Sequence, residues 1–314
     1  MKKYSHYILL LLLCLHTLVA SAASVQPFVD LLGWHATESN TSWATTISKP
    51  NGQTHITPSG ISFNTGLGVK AGVLYAPEDT FFDTTFYWTY FPTSATKTIP
   101  TVIGQVVSSL FFSGSYFIAK DIFAGANANW QLTLNMFDLL ASHAFKPSSS
   151  LAITPKVGMK GGSIYQAINV TWDAVIATAN EKVTNNFTGF GPSVGVAAKW
   201  NFYQDFSVVG DVSSAFMYGR WNNKDSFNRP PALFGLIPQQ TIVTTMNQAQ
   251  LGTLMMDYYL GLEWLHQGRS KVTVKIGYEM QYWADQLRLI AIQQLPTLGD
   301  LTIEGATCGI SIDL

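Results

Sequence analysis

The sequence predicts an all-β protein, a transmembrane antiparallel β-barrel of about ten strands that follows a signal segment. Three observations predict it. The chain is apolar on average, yet beyond the first residues it holds no apolar run of helix-spanning length. Charged residues make up only 12% and aromatics 13% of it. Period-two alternation recurs in segments longer than ordinary globular strands, which average about 5–6 residues. A chain of this kind can meet a bilayer as a closed barrel, where every backbone polar group is paired between strands. A large soluble β-protein, hiding its apolar face inside, is the competing explanation.

The N-terminal element comes first. Met1-Lys2-Lys3, the apolar stretch from Ile8 to Leu15 and the small residues Ala20-Ser21-Ala22 form a secretory signal, so residues 1–22 are expected to be a signal peptide and 23–314 the barrel. Removing it takes Lys2 and Lys3 from the 18 bases and nothing from the 19 acids, which leaves a mildly acidic chain. Nucleic acid is therefore not an expected partner. Only Cys308 survives cleavage, so no internal disulfide or CxxC metal site is expected, although a cross-link between chains through Cys308, or a homo-oligomer, stays open.

The strands follow. Lys271 to Trp283 sets Val272, Val274, Ile276, Tyr278, Met280 and Tyr282 against Lys271, Thr273, Lys275, Gly277, Glu279, Gln281 and Trp283. Thirteen alternating residues suit a tilted membrane strand of about 9–11 residues with extensions. Ile61 to Tyr75 places Phe63, Leu67, Val69, Ala71, Val73 and Tyr75 opposite a face of Gly66, Gly68, Lys70 and Gly72, whose glycines leave room in the lumen. Phe187 to Phe202 and Met256 to Trp264 repeat the split. Expected strands are 26–37, 59–76, 79–91, 123–145, 150–176, 186–202, 206–221, 250–266, 271–286 and 300–314. Short links near 76–79, 146–149, 203–205 and 267–270 alternate with long ones near 38–58, 92–122, 177–185, 222–249 and 287–299, as periplasmic turns alternate with external loops. Twelve strands result if 40–48 pairs, or if 150–176 is a hairpin about Gly161-Gly162.

Trp34, Trp88, Trp130, Trp172, Trp200, Tyr218, Trp264 and Tyr282 fall towards strand ends and fit either an interfacial girdle or a core. The last strand ends on Leu314, an apolar terminus resembling the signal that the barrel-assembly machinery reads, where Phe is usual. Val102 to Phe112 is too apolar for a solvated loop. The external segment from Pro92 to Lys120 that contains it is expected to fold into the barrel mouth as a constriction, to form a short helix or to extend a strand above the membrane, in that order of preference.

No catalytic residues, cofactor or metal are expected. Gly191-Pro192-Ser193-Val194-Gly195 matches the hydrolase elbow formally, but alternation runs through it, whereas the elbow needs a sharp strand-to-helix turn. His35, His55, His143 and His266 are scattered, and an outer-membrane hydrolase is the least favoured reading. The candidate functional residues are charged side chains expected to face the lumen, where rings of charge set ion selectivity. They are Lys70, Asp83, Lys156, Lys160, Lys199, Asp211, Asp257, Glu263, Lys271, Lys275 and Glu279. The same set fits an open pore for small hydrophilic solutes or a plug of mutual ion pairs.

The order of several motifs resembles the Legionella-type major outer membrane protein family, which has porin-like relatives in chlamydia-related bacteria. They include Asp30-Leu31-Leu32-Gly33-Trp34-His35, then Gly66-Leu67-Gly68-Val69 with Tyr75-Ala76-Pro77-Glu78-Asp79 and Tyr87-Trp88-Thr89-Tyr90-Phe91. Trp130-Gln131-Leu132, Met136-Phe137-Asp138-Leu139, Met217-Tyr218-Gly219-Arg220, Gly277-Tyr278-Glu279-Met280 and Glu304-Gly305-Ala306-Thr307 continue it. The resemblance implies a pore-forming or porin-like barrel in outer-membrane lipid and transfers no substrate and no binding residues; passive diffusion of small hydrophilic solutes is the first reading built on it. The alternative kept beside it is a structural or adhesive surface protein anchored by a closed barrel.

Overall fold

The computed structural model describes residues 23–77, 81–115, 123–174, 178–231, 238–268, 270–290 and 296–314; the expected signal peptide lies outside them. Ten antiparallel strands close a ring. They are β1 (Ala23–Glu38), β4 (Thr65–Pro77), β5 (Asp83–Ile99), β7 (Phe123–Ser142), β8 (Leu151–Ala174), β9 (Thr178–Tyr203), β10 (Phe206–Arg229), β11 (Gln240–Gln267), β12 (Lys271–Ile290) and β13 (Pro296–Asp313). Each pairs with its neighbour in that order, β13 returns to β1, and closure leaves the ring without an edge. The segment expected at 150–176 is one strand and not a hairpin. Three short strands, β2 (Ala44–Ser48), β3 (His55–Ser59) and β6 (Val106–Ser109), form an appendix that joins the ring where Val107 pairs with Phe123. The pairing near 40–48 therefore adds no wall strand.

Several expected loops are wall. Strands β8 and β10 run 24 residues, β9 26 and β11 28, against the roughly 9–11 that cross a bilayer. The excess takes up most of 177–185, 222–249 and 287–299. The short turns lie at the other rim, the periplasmic one in outer-membrane barrels, so the excess stands outside the membrane on the cell-surface side.

The outer face records where the membrane stops. On β9 it is apolar from Phe190 through Val194, Val196 and Trp200 to Phe202, all exposed, and becomes Thr188, Asn186, Thr184, Lys182 and Asn180 above. Strand β10 changes at the same register, Tyr218 beside Phe190 and Arg220 beside Thr188. Water replaces lipid outside the wall at this height, so the polarity of the outer face reverses.

The inner face reverses too, in the opposite sense. Trp34, Phe91, Leu134, Ile164, Phe187, Met217, Met255, Trp283 and Ile303 come from nine of the ten strands, and each is 0% exposed. The tenth strand, β4, contributes Gly66 and Gly68. A Cβ at Gly68 would sit 2.6 Å from the Tyr90 carbonyl oxygen and 3.2 Å from the Phe91 ring. These glycines therefore seat an aromatic ring and do not leave the lumen open. Trp130 and Trp172, two of the aromatics in question, belong to this interior with Trp34, while Trp200, Tyr218 and Trp264 face outward. Phe63, expected on the lipid face, precedes β4 and packs against Trp130 with ring centres 5.4 Å apart.

Leu134→Ala is expected to lower the unfolding free energy in lipid bilayers by about 2–5 kcal/mol, as cavity formation in a packed core does. Leu67→Ala, at a side chain 82% exposed to the surroundings, is expected to cost much less. Denaturant titration of the two variants side by side checks this ordering.

Candidate functional site: a charged lumen under a packed mouth

At membrane height the inner face carries the charges. Lys70 pairs with Glu279 at 2.5 Å, Lys160 with Asp138 at 2.7 Å and Lys275 with Asp30 at 2.9 Å. Lys156 pairs with Asp211 and Lys199 with Glu263. Antiparallel register builds these contacts: Lys275 lies opposite Gly309, which lies opposite Asp30, so the small residue between lets lysine reach across a strand. Glu279 also accepts a bond from Thr307 Oγ1 at 3.2 Å, and Thr307 accepts one from Trp34 Nε1 at 3.1 Å. That chain ties the charged layer to the apolar layer above it. Lys70 Nζ further lies 5.9 Å from the Trp34 ring centre and 5.7 Å from that of Tyr87, within cation–π range.

The eleven predicted residues divide by place. Lys70, Lys156, Lys160, Lys199, Asp211, Glu263, Lys275 and Glu279 take part in the pairs just described. Lys271 is an exposed rim residue, 3.4 Å from Asp313, and Asp83 opens β5 opposite Ser142. Asp257 has no lysine partner among the described residues and accepts only a long 3.5 Å bond from Gln281 Nε2. A cavity of about 100 Å³ lies between Lys70, Tyr87, Lys156, Asp211, Asp257 and Glu279, and its polar lining suits water. A second, of about 320 Å³, lies between Asp30, Lys199, Glu263 and Lys275.

Sequence reasoning missed Asp30 and Asp138. Each is flanked by leucine or phenylalanine, and both inward neighbours of Asp138 are apolar (Met136 and Leu140), so the polarity contrast that marks a lumen face is absent there. The formal GxSxG run is extended strand within β9, and Ser193 lines the smaller cavity. His143 Nδ1 lies 2.6 Å from the Phe81 carbonyl oxygen, and its ring stacks on Phe81 at 3.8 Å.

The mouth is filled by two inward-turned segments. The segment from Pro92 combines the alternatives: β5 runs on to Ile99, β6 joins the appendix, and a short helix α1 (Phe112–Ser115) turns into the barrel; its residues 116–120 lie outside the described residues. Two carboxylates of the protruding wall hold α1. Asp225 Oδ2 accepts a bond from the Ser113 amide at 2.7 Å, and Glu181 Oε1 accepts one from the Gly114 amide at 2.7 Å. Glu181 Oε2 accepts bonds from Ser109 Oγ at 2.9 Å and Trp172 Nε1 at 3.0 Å. The end of β12 is held beside it, since Trp221 Nε1 donates to the Gln286 carbonyl at 2.9 Å and the Arg288 guanidinium lies 4.2 Å from the Trp221 ring centre. None of these positions was among the candidates. The Asn and Lys residues alternating with Glu181 make that stretch look like a solvated loop.

Burial pushes the Asp225 carboxyl up to about 6 against the hydrogen bonds from Ser113, and it pushes Glu181 well above the carboxylate range, with the Asp225 charge adding to the effect. Both groups stand above the apolar belt.

Ten closed strands, an apolar outer belt and a charged interior at belt height define an integral outer-membrane β-barrel. The chain belongs to the Legionella pneumophila major outer membrane protein family, whose pattern matches residues 27–314. No curated protein sequence matches it significantly. Among solved structures it is similar to the outer membrane protease OmpT from Escherichia coli, with 10% identity, 93% of this chain and 97% of that chain covered, and a TM-score of 0.45. It is also similar to the CymD monoaromatic hydrocarbon channel (7% identity, 95% and 90% covered, TM-score 0.34) and to a Pseudomonas aeruginosa FadL homologue (8%, 93% and 90%, 0.32).

A carboxyl whose pKa is raised by burial in the folded barrel holds its proton more tightly there, so the closed mouth is favoured at low pH and loses that advantage as pH rises through the folded value, with the bonds from Ser113 opposing the shift. For Asp225 the window runs from its ordinary value of 3.8 to about 6. Hydrogen-exchange protection of the Ser113 and Gly114 amides, corrected for intrinsic rates, is expected to fall across that window by up to about a hundredfold. Asp225→Asn is expected to flatten the profile.

Proposed function

We propose that this protein is a closed outer-membrane barrel whose working surface is the half that projects from the cell, with the membrane half serving as anchor. One observation carries the reading. Nine strands each place a large apolar side chain that is 0% exposed into the lumen, and water cannot pass a level where such side chains touch none of it. Below that layer five lysines are matched to five carboxylates, the arrangement of a filled interior. The projecting half offers the β2–β3 appendix and a wall of Asn, Thr and Ser to solvent, a surface suited to adhesion or to contact with neighbouring surface molecules.

Porin-like diffusion of small hydrophilic solutes is the second reading. The polar cavities at membrane height and the unmatched Asp257 favour it, because a lumen serving only as an anchor needs neither. In that reading the packed layer is a gate, and Asp257 and Lys275 beneath it bias the choice of ion.

Single-channel recording of the refolded protein in planar bilayers separates the two. The closed-barrel reading predicts no resolved steps at any applied voltage that the bilayer withstands. Regular steps, whose ion selectivity moves towards cations in Lys275→Glu, would establish the diffusion reading in its place.

A further inference from the structure

The projecting wall is nearly uniform on its outer face. Strand β7 shows Asn127 and Asn129, β8 shows Asn169 and Thr171, and β11 shows Thr241, Thr245 and Asn247 with Val243 among them. Strands β9 and β10 break this pattern with three exposed bases: Arg220, Lys224 and Lys182. They share one face of one antiparallel pair. Lys224 lies opposite Thr184 and Lys182 opposite Ser226, which makes the two lysines diagonal neighbours within reach of a common group. Arg220 lies four residues from Lys224 along β10, on the same side.

Their height is fixed by the belt. Phe190 and Tyr218 form a register pair and are the uppermost exposed aromatics on these strands, 63% and 46% exposed. The next outward pair is Thr188 and Arg220. Aromatic side chains with an apolar body and a polar edge mark the membrane–water boundary, so Arg220 enters the headgroup layer directly above it. From Arg220 to Lys224 the strand rises about 13 Å along its axis, and about 10 Å along the membrane normal at the usual barrel tilt. A phospholipid headgroup layer is only about 5–7 Å deep. The bases thus span the depth of a headgroup that carries sugars as well as phosphate.

None of the three bases has an acidic partner within ion-pairing distance among the described residues. The lysines of the membrane-height lumen, by contrast, are paired. The nearest acid on the outer face of β8 is Asp173, which lies opposite Thr178, four residues from Lys182 along β9. Such a stripe is unfavourable by self-repulsion and is explained by a polyanion that lies against it.

We infer that Arg220, Lys182 and Lys224 form a binding site for the phosphorylated sugar headgroup of an outer-leaflet glycolipid, with its acyl chains against Phe190, Phe216 and Tyr218. Arg220 takes a phosphate at the membrane boundary with its planar fork, and the two lysines take a second anionic group higher on the headgroup. The site belongs to the wall and does not depend on whether the lumen conducts.

The test titrates the refolded, detergent-solubilised barrel with bisphosphorylated lipid A and follows complex formation by native mass spectrometry. A basic residue facing an anionic lipid surface contributes roughly fivefold in affinity, so Arg220→Ser/Lys182→Ser/Lys224→Ser is expected to weaken binding on the order of a hundredfold. Lys49→Ser/Lys97→Ser, which removes two exposed charges elsewhere, is expected to leave it unchanged. Dephosphorylated lipid A is expected to bind the native barrel as weakly as bisphosphorylated lipid A binds the triple variant. The heat-dependent shift in gel mobility confirms that each variant is folded, and Lys182→Arg/Lys224→Arg should retain native affinity should the triple variant fail to fold. Equal binding by the triple variant and the native barrel overturns the proposal. So does competition by inorganic phosphate at concentrations near those of the lipid, which would make the stripe a general anion site.

Discussion

A wall strand that crosses a bilayer and continues into water has to satisfy two solvents along one length, and the rest of this structure follows from how it does so. Below Phe190 and Tyr218 the outer face meets lipid and is apolar, which leaves the inner face for charge. Above them the outer face meets water and is polar, and the inner face becomes the only place where apolar area can be buried. The barrel is in effect two barrels of opposite polarity on one set of hydrogen-bonded strands. The backbone ladder continues through the junction, and only the side chains change sides.

The junction is where the two halves depend on each other. Trp34 belongs to the apolar layer, yet its indole nitrogen begins the bond chain through Thr307 to Glu279 and Lys70. Buried charge is costly unless it is paired and hydrogen-bonded, and the packed layer above seals these pairs from water at the surface side. The carboxylates that hold α1 sit above this layer, among Trp172, Phe123 and Phe227. Inward-folded segments cap a core that the wall residues have already closed.

This division explains what was legible in the sequence. Alternation located the membrane portions of β4, β9, β11, β12 and β13 because there one face is apolar and the other is not. It failed where both directions are apolar, or both polar, for physical reasons. Leu134, Met136 and Leu140 face inward on β7 although they look like lipid contacts, since the interior at their height is itself a core. The stretch from Thr178 to Asn185 reads as a loop because Thr, Asn and Lys face water and alternate with Glu181 and Asn185, buried polar groups whose partners lie far off in sequence. The glycines of β4 were legible as inward-facing, but their purpose was not, because Phe91 reaches them from another strand. Lysines on the lumen face were readable one strand at a time. Their acids Asp30 and Asp138 were not, because pairing between strands leaves no trace in local spacing: Asp138 lies opposite Lys160 on the adjacent strand, and Lys275 reaches Asp30 over Gly309.

The measurement that tests the reversal of polarity most directly is spin-label accessibility along β9 in liposomes, on a Cys308→Ser background. Single cysteines at Asn186, Phe187, Val196 and Lys199 sample both faces above and below the junction. The account predicts that a label at 196 collides with lipid-soluble oxygen and one at 186 with a water-soluble nickel chelate. A label at 187 should be screened from both, and one at 199 should see only the confined water of the lower lumen. Free collision of the nickel chelate with the label at 187 would mean that the upper interior is a water-filled passage, and would contradict the account.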